Sequence, residues 1–108
     1  MKIFPLENFD KGYFVGDFPK AIFKTNAFEV SYKYHKKGDS HAIHYHRFTT
    51  EFILITKGVV VVNGNKIEKG NIFILEPYMI NEIEYLEDVE LVIVKTPSIP
   101  NDKIIVSN

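Results

Sequence analysis

The chain contains no cysteine, which excludes disulfides, thiolate catalysis and any Cys-ligated zinc. It has no excess of either charge. Thirteen basic side chains stand against fourteen acidic ones, and the formal net charge of -1 argues against a dedicated binder of nucleic acid or of an anionic membrane. Long apolar runs are also missing. The longest, Phe52 to Ile55 and Val59 to Val62, fall far short of the roughly 18 residues that span a bilayer. Pro5 and Glu7 interrupt the N-terminal stretch, so no signal peptide is read there and a cytoplasmic location is expected. No window carries a sustained helical apolar period, and there are no internal repeats. The remaining composition, 45% hydrophobic and 25% charged over 108 residues, suits one soluble globular domain, 1–108.

What is present is β-patterned: short apolar or alternating segments punctuated by glycine and proline. From Phe28, the residues Phe28, Val30, Tyr32 and Tyr34 share one face, and Glu29, Ser31, Lys33 and His35 the other. A short strand is expected around Ala42 to Arg47, with a turn through Phe48-Thr49-Thr50. Glu51 to Thr56 is then apolar on both faces, as in a central strand. Asn63-Gly64 marks a hairpin after Val59 to Val62. Asn71 to Leu75, Ile80 to Leu86 and Val89 to Thr96 continue the series. The tail from Pro97 is a coil leading to an edge strand over Lys103 to Val106. The expected fold class is all-β, a closed barrel or jelly roll that removes exposed sheet edges. A core this small favours a homodimer, for which Tyr13-Phe14-Val15 and Ala21-Ile22-Phe23 are candidate pairing segments.

The chemistry concentrates in one segment. His44 and His46 lie on the same face of a strand, roughly 6.5–7 Å apart, so two imidazoles can converge on one ion. Glu51 opens the next antiparallel strand and can complete a two-His, one-carboxylate set with open coordination positions. The spacing Gly-x5-His-x-His-x4-Glu-x6-Gly, matched at Gly38, His44, His46, Glu51 and Gly58, resembles the first motif of the cupin superfamily. Gly70 to Pro77 resembles the start of the second motif, and the likeness extends over about residues 28–96. The histidine that closes the second motif falls here on Asn81. Alternation with Ile83 and Tyr85 turns Asn81 inward and Glu82 outward.

The resemblance implies a single-domain cupin β-barrel (double-stranded β-helix) holding a divalent transition metal, iron, manganese, nickel or zinc. His44, His46 and Glu51 would be its ligands, with Asn81 at the margin. It implies an enzyme of dioxygenase or isomerase type acting on a small polar metabolite such as a keto acid or a sugar derivative. Two alternatives stand beside it: a metal-free sugar isomerase or epimerase, and a non-catalytic ligand-binding or sensing module. Tyr32, Tyr34 and Tyr85 are candidate interior phenols. Arg47, the one arginine, is a candidate anion clamp although strand parity turns it from the histidine pair. His41 reads as a solvated loop residue, His35 as a surface residue beside Lys33, and the acidic group Glu82, Glu84, Glu87, Asp88 and Glu90 as a solvated face.

Overall fold

A computed structural model describes residues 1–107. Eleven strands follow two short 3-10 turns, Leu6–Asn8 and Asp10–Gly12. They are β1 Tyr13–Gly16, β2 Phe23–Lys24, β3 Glu29–His35, β4 Ile43–His46, β5 Thr50–Lys57 and β6 Val59–Val62. The series continues with β7 Asn65–Glu68, β8 Ile72–Leu75, β9 Ile83–Tyr85, β10 Val89–Thr96 and β11 Lys103–Ser107. Six strands form the largest sheet, in the order β2-β1-β3-β10-β5-β8. A second sheet runs β7-β6-β9, and β4 pairs with β11. Between β8 and β9 the chain lies against β4, through an antiparallel bridge from His44 to Asn81 and a hydrogen bond from Tyr78 N–H to the His46 carbonyl. The bridge fixes the position of Asn81, which lies outside the strand expected from Ile80.

Turn chemistry sets these joints. Asn63 and Gly64 both have positive φ, 49° and 81°, the backbone that a tight two-residue hairpin requires between β6 and β7. Gly58 lies between β5 and β6 at φ 88°, and a Cβ there would run into the carbonyl oxygen of Asp88. The motif glycine is therefore fixed twice, by conformation and by space.

The core is formed by Ile53, Ile55, Val60, Val62, Leu75, Tyr85, Val89, Leu91 and Ile93. Each such aliphatic side chain contributes about 1.5–3 kcal/mol by leaving water. The inner face of the large sheet is not apolar along its whole length. Leu91 pairs with Ile55 and Ile93 with Ile53, but the next inward row reads Glu29, Lys95, Glu51, Leu75 across β3, β10, β5 and β8. Here the packed core gives way to a charged chamber.

Two expectations are overturned. The two faces of β3 alternate as expected, but the polar one points inward: Glu29, Lys33 and His35 line the chamber. Tyr32 and Tyr34 lie on the outer face, with Tyr34 64% exposed. The interior of this sheet end is polar, so the usual equation of apolar with inward fails there. The second concerns β1, which is bonded to β2 on one side and to β3 on the other and so has no free edge for a second chain.

Candidate metal centre

β4 presents His44 and His46 on one face and β5 presents Glu51 opposite them, all three buried. One ligand atom from each lies within 4.8 Å of the others. The two imidazole rings stand 5.3 Å apart and perpendicular. Nδ1 of His44 is 2.8 Å from the carbonyl oxygen of Ala42. A carbonyl can only accept, so the proton sits on Nδ1 and Nε2 keeps its lone pair for a ligand. The amide nitrogen of Asn81 lies 3.3 Å from that Nε2.

The electrostatics favour the same state. Burial pushes the His44 pKa below its ordinary 6.5, leaving a neutral imidazole near neutral pH. Burial works against ionisation of Glu51, but the adjacent His46 and the Lys95 ammonium outweigh it and hold the carboxyl below its usual range. His46 Nδ1 is 2.8 Å from Glu51 Oε1, within ion-pairing distance. Asn81 Oδ1 is a buried acceptor without a hydrogen-bond partner. A buried carboxylate and an unmatched amide oxygen beside two imidazole nitrogens fit a divalent cation, because an unmatched buried acceptor is costly unless something positive meets it.

The group opens onto a chamber of about 630 Å3. Tyr85 lines it, with its hydroxyl 3.2 Å from His41 Nε2 and its ring stacked on His35 at 4.3 Å. His41 is an exposed loop residue, as expected, that stands at the chamber's edge, whereas His35 lines the chamber and is not the surface residue expected. Burial pushes the Tyr85 phenol well above its ordinary value, so it stays protonated. Tyr32 instead donates to Glu90 Oε1 at 2.7 Å on the outside of the sheet. Arg47 is exposed, stands against the Phe48 ring at 5.5 Å, and does not line the chamber. Strand parity had already turned it away from the histidines.

Asp102 is a positioning residue that carried no motif. Its carboxylate accepts from the backbone N–H groups of Arg47, Phe48 and Thr49 at 3.0–3.2 Å. It thereby ties the tail to the turn that carries the chain from His46 to Glu51. Lys95 was also missed, although it lies directly across β10 from Glu51.

The fold is that of the cupins, the double-stranded β-helix, as solved structures show. An uncharacterized conserved protein with a double-stranded beta-helix domain from Klebsiella pneumoniae matches with a TM-score of 0.71 at 18% identity, over 99% of this chain and 93% of that one. KdgF from Halomonas sp. matches at 0.66 and 16% identity, over 71% and 74%. Quercetin 2,3-dioxygenase from Acinetobacter baumannii matches at 0.62 and 22% identity, over 74% of this chain but 29% of that protein. No protein-family model and no curated protein sequence matches the chain.

Proposed function

We infer that the protein is a small metal-dependent enzyme of cupin architecture, of dioxygenase or isomerase type, acting on a compact polar metabolite. One observation carries this reading. Three buried donors, from strands of two different sheets, converge at the wall of a chamber large enough for a small molecule. His44, His46 and Glu51 would hold a divalent transition ion, with the Asn81 amide at its edge. The ion when bound supplies a Lewis acid that polarises an oxygen of the metabolite. The chain does the rest. Ala42 fixes the tautomer of His44, and the protonated Tyr85 hydroxyl offers a donor to a polar ligand. Among the solved structures of this fold are salicylate 1,2-dioxygenase, quercetin 2,3-dioxygenase and one named as a sugar phosphate isomerase, which supports the reaction types without choosing between them.

Metal content tests the reading. Protein purified without added metal, or titrated with iron, manganese, nickel or zinc, is expected to take up about one ion per chain. His44→Ala should abolish uptake while the far-ultraviolet circular dichroism stays that of a β protein. No affinity for any of the four ions overturns the reading. The short His46–Glu51 contact then favours the metal-free alternative, an isomerase or epimerase with imidazole as base. Solvent-proton exchange at a substrate carbon is its signature.

A further inference from the structure

Asn81 is the buried centre of an otherwise exposed stretch. Ile80 is 41% exposed and Glu82 is exposed, so packing holds its flanks only loosely. Extended backbone turns the N–H and C=O of one residue to one side and those of its neighbours to the other. On the β4 side, the Asn81 N–H donates to the His44 carbonyl at 2.7 Å, and the Asn81 carbonyl accepts from the His44 N–H at 3.4 Å. The opposite side carries the Ile80 carbonyl and the Glu82 N–H, and one side chain meets both. Asn63 Nδ2 donates to the Ile80 carbonyl at 2.6 Å, and Asn63 Oδ1 accepts from the Glu82 N–H at 3.0 Å. The Asn63 backbone N–H adds a bond to the Glu82 carbonyl at 2.9 Å. A side-chain amide thus does for residues 80–82 what a peptide group of a neighbouring strand would do, and Asn81 is held from both sides.

We propose that Asn63 is a positioning residue for the donor group, a clamp that sets Asn81 against His44 and so holds its side-chain amide at the edge of the metal centre. The clamp rests on these contacts alone; its effect on an ion rests on the metal-centre reading. The residue type follows from the task. Ile80 offers an acceptor and Glu82 a donor, and a side chain that answers both must carry one of each, as a short amide does. The turn makes no such demand. Asn63 has φ 49° in the Asn63-Gly64 hairpin, and aspartate or glycine serves that conformation as well. Sequence alone gives Asn63 the turn role and hides the clamp, because the partners lie 17 and 19 positions further on.

Asn63→Asp and Asn63→Gly therefore keep the turn and remove the clamp, the first by losing the donor alone. Two readouts separate the clamp from the turn. In the metal-free whole chain near neutral pH, the NMR resonance of the His44 Nε2 nitrogen reports on the Asn81 amide 3.3 Å away. It should shift in both variants toward its position in Asn81→Ala. Competition titration with zinc should show binding about tenfold weaker in both, the lower end for groups that orient a ligand. In the Asn81→Ala background the same substitutions should cost nothing further, since a clamp acts only through the residue it holds. A parent-like His44 resonance in both variants overturns the proposal. So does parent zinc affinity in both, or an equal loss in the Asn81→Ala background. A chain that takes up no metal loses the metal-centre reading, and the His44 resonance still decides the clamp.

Discussion

Asn81 stands against His44 at the edge of the donor group, and its surroundings decide how it acts. Its backbone bridges to His44, and its amide nitrogen reaches the His44 Nε2 lone pair. Asn81→His should therefore add an imidazole to the donor group and tighten the binding of a divalent ion. Asn81→Ala should weaken it by about 10-fold or more, as for other groups that orient a ligand. Competition titration against a chromogenic chelator measures both. Unchanged affinity in both variants would place Asn81 outside the metal's reach.

Protonation gives a second prediction at this scale. Burial lowers the pKa of His35, His41 and His44 below 6.5. Between the folded and unfolded values the unfolded chain binds more protons, so stability is full above about pH 6.5 and falls as pH drops through the lowered values. Urea midpoints of the metal-free protein should be lower at about pH 5.5 than at about pH 7.5, with unchanged slope. A flat profile would show that these imidazoles are as solvated in the fold as in the unfolded chain. The depressed carboxyls of Glu51 and Asp102 act separately, withdrawing stability only as pH falls below about 4.5.

Among the elements, the turn between β4 and β5 is the joint on which the donor group depends, because it carries the chain from the sheet that bears two histidines to the sheet that bears the carboxylate. Asp102 holds it from a distant part of the chain by filling three backbone donors. Asp102→Ala leaves those donors without that acceptor and should cost about 2–3 kcal/mol in urea unfolding, with weaker metal uptake. A loss within about 0.5 kcal/mol would show that water replaces the carboxylate. This residue also shows what a sequence can and cannot disclose. The donor group was legible because His44 and His46 are two apart and Glu51 follows after one turn, so local geometry alone brings them together. The contact from Asp102 spans more than fifty positions, and nothing near it in the chain announces a partner. β3 was legible in its alternation and misread in its sense, since two faces of opposite polarity do not say which one meets a polar chamber. Lys95 follows the same logic. Beside Ile93 it reads as a strand leaving the core, whereas register sets it between Glu29 and Glu51.

For the whole molecule, the outer face of the large sheet poses the remaining question. Two apolar rows cross four strands there: Tyr32, Val92, Leu54, Ile72, and Val30, Val94, Phe52, Ile74. At the β8 end Ile72 is 66% exposed and Ile74 49%, and Phe52 on β5 is 38% exposed. A continuous apolar sheet face of this kind is a place where soluble proteins associate. We expect a second copy to cover it, sheet on sheet, since the same rows on both chains form a self-complementary isologous contact and the small core gains from the burial. Of the two N-terminal segments expected to pair, β1 has no free edge and β2 at Phe23 keeps one, but we expect the face formed by β3, β10, β5 and β8 to be the seam. Light scattering at micromolar concentration should give twice the 12.5 kDa chain mass. Phe52→Lys and Ile72→Lys together should return the monomer without loss of β structure, because both side chains already meet solvent in the single chain. The site lies on the opposite face of the sheet, so metal titrations of that monomer should match those of the parent protein. A parent protein of single-chain mass, or a double variant that remains a dimer, would refute this arrangement. In the second case the contact would lie elsewhere, with the exposed Phe23 strand edge as the next surface to substitute.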